Sequence, residues 1–398
     1  MAKRDLWKTL GVGVVAAGSL SYSGIANAKT LGFVLTTWHY SGQFTPDNKV
    51  ECPDGLAFGH RENFRAQFKT KEEQDAHIDK FADVEWQARG PNGESDIYMP
   101  QMVEDPLPYR EGQGKISYGF NLDGTKDGQA TDHSCGHANF TSPDGETGID
   151  NQIYRSMACV KGMRPGGDSD GMANTQLISK VVNRILIEVT DVDDEANDDH
   201  VVVTIGHGLD KVLQSPVGGF IPNLSQRLDE KASAYIYHAN GKIVNHVLTT
   251  DVMPELEIVQ MSGPVQWGVR AFKDARFKIK LNGEKATAVL GGYHDVERYY
   301  RYWAKTIGAH AITSNSSPAS FYRSLHKNAD GYKDPVTGKC TAISASYDWE
   351  LVSAFIVHGE SDEKKTSENV PSGGNAPSAS AIVKVASAKN ALEAKSAK

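Results

Sequence analysis

The chain carries little that would dictate a reaction. It has no His-Glu-x-x-His and no Ser-x-x-Lys with its usual companion motifs, which removes the zincins and the penicillin-recognising enzymes. Cysteine is scarce. The four residues Cys52, Cys135, Cys159 and Cys340 form no Cys-x-x-Cys and no Cys-x-x-Cys-His, so neither a dithiol redox centre nor covalent haem is expected. Positive charge is in deficit too, with 42 Lys and Arg against 50 Asp and Glu and a net charge of −8. Such a chain is a poor partner for nucleic acid or an anionic membrane. After the N-terminal segment no run reaches the ~18 apolar residues of a membrane helix, so no transmembrane segment is expected.

What is present begins with an export signal. Lys3, Arg4 and Lys8 give a positive start, residues 9–25 are weakly apolar, and Ala26-Asn27-Ala28 supplies small residues for cleavage. Residues 1–28 therefore read as a signal peptide, with the mature chain starting at Lys29 in the periplasm or outside the cell. Its removal takes the net charge to about −10. In an oxidising compartment the four cysteines read as two disulfides, with three pairings possible. Cys135 with Cys159 is preferred, because both flank a segment with few apolar residues to hold it, and Cys52 with Cys340 follows by default.

Residues 29–171 are loop-rich. Leu31–Thr37 is β-prone, and Thr70-Lys71-Glu72-Glu73 is a capping-box sequence that starts a short helix carrying His77, Ile78 and Phe81, a peripheral lid. Residues 90–171 are dominated by Gly, Asp, Pro and Asn, and so long a structureless stretch needs disulfide or metal bonds in place of a core. Residues 172–360 read as strands, at least eight of them between 184 and 290. Arg184–Thr190 and His200–Ile205 flank an acidic loop, and Asn240-Gly241 and Asn282-Gly283 each sit between alternating runs as hairpin turns. The fold expected is mainly β, an antiparallel β-sandwich or jelly roll with a few peripheral helices, forming one domain with residues 29–171. Asp295–Ile307 and the segment from Ser317-Pro318 read as helices. Residues 361–398 lack any aromatic residue and read as a disordered tail.

The segment with most chemical content is Asn121-Leu-Asp123-Gly-Thr-Lys-Asp127-Gly, with Asp132, Asp144, Asp150 and Asn151 after it. Carboxylates alternating with glycines offer many oxygens to one hard cation, so Asn121, Asp123, Asp127, Asp132, Asp144, Asp150 and Asn151 are candidate Ca2+ ligands. The sequence departs from an EF-hand, and Asp-Gly pairs also serve as ordinary turns. A second acidic run, Asp191 to Asp199, reads as a solvated loop. His133-Ser-Cys135-Gly-His137 places two imidazoles near a thiol, a soft-metal set only if Cys135 is free. Tyr299, Tyr300, Tyr302 and Trp303 read as the buried face of a helix rather than a sugar platform.

The order Cys52-Pro-x-Gly, Asn121-Leu-Asp-Gly, Cys135, Pro143-Asp-Gly-x-x-Gly-Ile-Asp-Asn-Gln152 and strand, acidic loop, strand resembles a set of uncharacterised exported proteins of Gram-negative bacteria. The resemblance covers residues 31–290 and implies no activity.

The function expected is that of an exported, non-catalytic binding protein braced by calcium and disulfides, with a glycan or an envelope protein as its partner. The alternative is a carbohydrate-active hydrolase or lyase. A groove with facing carboxylates, or with a Tyr, His and Arg group, would favour the enzyme.

Overall fold

The computed structural model describes residues 28–78, 97–179, 183–262, 266–306 and 316–359. The predicted leader, apart from Ala28, and the predicted tail lie outside the described residues, as does Phe81 of the lid helix. The chain is mainly β. Its strands are β1 (Lys29–Tyr40), β2 (Phe140–Thr141), β3 (Thr147–Ile149), β4 (Ile185–Val192), β5 (Asn197–His207), β6 (Leu224–Arg227), β7 (Tyr237–Val244), β8 (Val247–Thr250), β9 (Met253–Ser262), β10 (Gln266–Asn282), β11 (Lys285–Asp295), β12 (Gly331–Lys333) and β13 (Cys340–Val357). The helices described are α1 (His60–Arg65), α2 (Lys71–Ile78), α3 (Ile153–Met157), α4 (Asp168–Ser179), α5 (Val296–Thr306) and α6 (Pro318–Lys327).

Neither a sandwich nor a jelly roll forms. Strands β1-β4-β5-β7-β8-β10-β11-β13 pair in that order, and β1 then pairs with β13, closing an eight-stranded antiparallel barrel. A sandwich leaves strand edges exposed, whereas closure removes them all. The seam runs from Phe33 opposite Ser353 to Tyr40 opposite Tyr347. Closure depends on pairing the first strand with the last, for which no local pattern exists.

The barrel interior is lined with apolar side chains. Phe33, Leu35, Ile187, Val203, Leu248, Phe277, Ile279, Leu290, Tyr347 and Trp349 share one buried core, and burial of each large apolar side chain contributes ~1.5–3 kcal/mol. The outer wall carries Lys278, Lys280, Thr287, Asp348 and Glu350, none of them buried. This polarity is the reverse of a membrane barrel, whose apolar side faces out. No helix among the described residues is long and apolar enough to cross a membrane.

Two bulges reset which residues face inward. In β1 the register against β13 shifts between Leu35 and Thr37, so the inward set passes from Phe33 and Leu35 to Trp38 and Tyr40. In β10 it shifts between Lys273 and Arg276, where Asp274 has φ 53°. Inward residues pass there from Arg270 and Phe272 to Ala275, Phe277 and Ile279. A single extra residue exchanges the two faces of everything beyond it.

The hairpins lie close to where the sequence placed them, with different turns. Asn240-Gly241 is inside β7, and the reversal falls at Asn245 and His246, both at positive φ (51° and 63°) between Val244 and Val247. Asn tolerates that conformation and His is enriched there. A Cβ on Gly241 would sit 3.0 Å from Leu248 Cδ1, which accounts for the glycine without a turn. The second reversal is Gly283-Glu284 between Asn282 and Lys285, with Gly283 at φ 60°, one residue later than read.

The loop-rich segment lies on the outer wall of β13. Asn151, fully buried, accepts from the Ser346 N–H at 3.0 Å and donates to the Ser41 carbonyl at 3.0 Å and to Ser117 Oγ at 2.7 Å. Ser344 Oγ takes the Gln152 N–H at 2.8 Å. Gly291 is required beneath this cover, because a Cβ there would lie 2.4 Å from the Phe120 ring.

Both disulfides differ from the pairing expected. Cys52 bonds Cys159, and Cys135 bonds Cys340. Cys159 follows α3, where its carbonyl receives the Ala57 N–H at 2.7 Å and holds it beside the Cys52 loop. Cys135 donates its N–H to the Asp330 carbonyl at 2.8 Å, next to β12 and β13. Segment 135–159 is therefore held by the barrel wall and needs no bridge of its own. The bridges close loops with separations of 107 and 205 residues, each worth ~5 kcal/mol in a chain-entropy account.

Other readings hold. Thr70 and Glu73 form the reciprocal capping box at 3.1 Å each way. In α5, Val296, Tyr299, Tyr300 and Trp303 are buried, and Pro318 opens α6 behind Ser317. The acidic loop between β4 and β5 is organised by Asp198, whose carboxylate accepts from the N–H groups of Asp193 and His200.

Candidate functional site

The seven predicted calcium ligands do not converge on one point. Asn121 closes a turn, accepting from Gly124 N and donating to the Thr125 carbonyl at 2.7 Å each. Asp123 accepts from Thr125 N at 2.8 Å and from Ser134 Oγ at 3.0 Å. Asp150 Oδ2 accepts from Leu122 N at 2.7 Å and Asp123 N at 3.2 Å. Asp127 caps Gln129, Asp132 is exposed, Asp144 sits in the β2–β3 turn and Asn151 is committed to β13. Only Asp123 and Asp150 of the set meet. Among the described residues no three of His, Cys, Asp and Glu are arranged to hold a metal ion.

The soft-metal reading loses its thiolate, because Cys135 is in a disulfide. His133 is exposed at a cavity of about 650 Å3 that Asp123, Asp274, Tyr293 and Tyr332 also line. His137 donates from Nε2 to the Ala329 carbonyl at 3.1 Å. Under this cavity lie two buried acids in reach of each other's charge. Burial pushes the Asp150 carboxyl up to about 7 and that of Asp330 up to about 8.

A second cavity, of about 380 Å3, is the stronger site. It is a groove between the β2–β3 hairpin and the barrel wall of β1, β10, β11 and β13. The β1 bulge turns His39 outward into it, while Asp348 and Glu350 reach it from β13 by alternation with the inward Tyr347, Trp349 and Leu351. On the opposite side stand Tyr118, Asp144 and Glu146. Glu146 is paired with Lys278 at 2.7 Å, bridging hairpin to barrel.

The groove is electrostatically tuned. His39 Nδ1 lies 2.6 Å from Asp170 Oδ1 of α4, and that hydrogen bond raises the imidazole against the opposing effect of burial. Burial pushes Asp348 up to about 6, although the Ser41 hydroxyl donates to it at 2.5 Å and the His39 charge opposes the rise. Glu350 receives the Thr37 hydroxyl at 2.9 Å. The Tyr118 phenol is raised by partial burial and by the charges of Asp144 and Asp348, one from each wall.

Of the predicted residues only Asp144 lines this groove. His39, Asp170 and Asp348 were missed. For Asp348 a signal was present in Tyr347-Asp348-Trp349-Glu350-Leu351, where carboxylates alternate with large apolar residues along one strand; His39 and Asp170 reach each other only through the fold.

No protein-family model matches the chain, and neither a curated protein nor a solved structure matches it.

Proposed function

We propose that the protein is an exported, non-catalytic binding protein that holds a glycan in the groove between the β2–β3 hairpin and the barrel. The observation that carries the reading is Tyr118, an aromatic ring 37% exposed that stands in the field of carboxylates from both walls. A sugar offers an apolar ring face to an aromatic side chain and hydroxyl donors to carboxylates, and concave sites with a few placed polar groups are where such ligands bind. Export is supported by the leader pattern and by two disulfides. The calcium part of the reading is carried forward only for Asp123 and Asp150.

The test is a screen of the mature protein against immobilised oligosaccharides, followed by calorimetry with the tightest binder. Y118A should weaken binding at least about tenfold, which corresponds to ~1.4 kcal/mol. Absence of any glycan ligand, or equal binding by Y118A, would overturn the assignment.

A hydrolase reading draws on one specific observation, that Asp348 holds its proton up to about 6 in a groove with other carboxylates. One protonated and one ionised carboxyl are the pair that glycoside cleavage uses. Release of reducing ends from the same glycan, abolished in D348N, would move the protein to that class.

A further inference from the structure

Arg270 is a buried cation to which the described residues offer one hydrogen-bond acceptor. It is 4% exposed. Nη2 donates to the Tyr302 hydroxyl at 3.0 Å, while Nε and Nη1 meet no acceptor. Its Coulombic neighbours include the phenols of Tyr302, Tyr347, Tyr40 and Tyr299. Burial pushes the hydroxyls of Tyr40, Tyr299 and Tyr347 up, so these three are neutral at physiological pH and supply no counter-charge.

The arrangement is built rather than incidental. The bulge at Asp274 turns Arg270 inward, and β10 pairs with β9 at this point but with β11 only from Lys273 onward. Arg270 thus lies at the end of the barrel, under Tyr302 of α5. The guanidinium carbon is 4.3 Å from the Trp38 ring centre, 4.9 Å from that of Tyr347 and 5.0 Å from that of Tyr302. Ring faces attract the cation, but they are weak partners for its strongly polar N–H groups. The Trp38 indole N–H beside it also lacks an acceptor. A buried charge left uncompensated is costly, and water can accept its hydrogen bonds without neutralising it.

We propose that this end of the barrel is an anion site, with Arg270 as its anchor and the Trp38 N–H as a second donor, and that it takes a small monocarboxylate. One negative charge balances one guanidinium, and a carboxylate brings acceptor oxygens that suit the donors' planar geometry. Three ring centres stand 4.3, 4.9 and 5.0 Å from the guanidinium carbon, so the anion proposed is small. The site is independent of the glycan groove, since Trp38 and Arg270 face inward while His39 faces out.

The experiment titrates the mature protein with sodium acetate against sodium chloride at constant sodium concentration, following melting temperature and tryptophan emission. Acetate should give a saturable rise in both, reaching about a 100-fold gain in the folded-to-unfolded ratio at 100 times Kd. R270M should fold, because an apolar side chain of similar length replaces an uncompensated charge, and should lose the response. If R270M does not fold, R270K keeps the charge without the planar fork and should bind acetate at least about tenfold more weakly. The proposal is overturned if the wild type shows no saturable response, if R270M responds like the wild type, if R270K binds with unchanged affinity, or if chloride acts as acetate does.

Discussion

The Tyr347 hydroxyl donates to Nε2 of His294 over 2.7 Å, because the other ring nitrogen is committed to the Ala271 carbonyl at 2.6 Å. A carbonyl only accepts, so Nδ1 carries the proton and Nε2 is left as the acceptor. Burial pushes the imidazole down to about 3. His294 is fully buried and neutral, and it ties β11 to both β10 and β13.

Acid should therefore destabilise the barrel through His294. The unfolded imidazole binds a proton near its ordinary 6.5 while the folded one does not until about 3. The contribution is complete above pH 6.5 and is lost as pH falls to 3, by ~5 kcal/mol in full. Urea unfolding at stepped pH checks this, and H294Q should flatten the slope across that window at a lower starting stability.

Asp150 and Asp330 act in the opposite sense. Their folded carboxyls are raised to about 7 and about 8, so their contribution is complete below the ordinary carboxylate range and is lost as pH rises through 7 to 8. D330N should remove most of that alkaline decline in a melting series from pH 5 to 9 (~ one step per unit). The same series in calcium and in chelator tests the metal: a calcium-dependent rise at the alkaline end, lost in D150N, would show that a cation replaces the proton.

Non-reducing peptide mapping should recover Cys52 linked to Cys159 and Cys135 linked to Cys340. Replacing Cys135 and Cys340 together by Ser should cost about 2–5 kcal/mol, with the loss read by denaturant unfolding. Recovery of a Cys135–Cys159 peptide would contradict the placement of residues 130–160 on the barrel wall.

The β7–β8 turn should be sensitive at Asn245 and His246, which no turn motif marks. N245V and H246V force β-branched residues into positive φ and should each cost about 1–2 kcal/mol. H246G should instead raise the melting temperature. N240T, inside the strand, should be tolerated, and the four melts together locate the turn.

Strand positions were legible because alternation is local and survives in any β architecture. In β11, Ala286, Ala288 and Leu290 recur at every second place, and apolar, partly β-branched runs mark Ile185–Val192 and Met253–Ser262. The faces were not legible throughout, because the bulges at Thr36 and Asp274 reverse the alternation without altering composition. Those two residues decide that His39 enters the groove and that Arg270 enters the barrel. The disulfide partners were misread for a related reason. The lack of apolar residues between them suggested Cys135 with Cys159, whereas the wall of β13 carries Cys340 to Cys135. Asp123 and Asp150 were read among seven ligands of one cation; their oxygens accept from the N–H groups of Thr125, Leu122 and Asp123, partners that a sequence does not reveal.

The seam between β1 and β13 makes the barrel a structure that is completed last. It joins residues as far apart as Phe33 and Ser353, and the Thr36 hydroxyl is bonded to the Glu350 carbonyl 314 positions on, so nearly the whole chain must be delivered before the wall closes. Until then β1 has one partner, β11 presents a bare edge, and Trp38 and Trp349 stand in water. Folding routes that depend on such distant pairing are slow and leave strand edges open to other copies of the chain. Yield on refolding should therefore rise with dilution, which keeps unfinished copies apart until the final strand pairs.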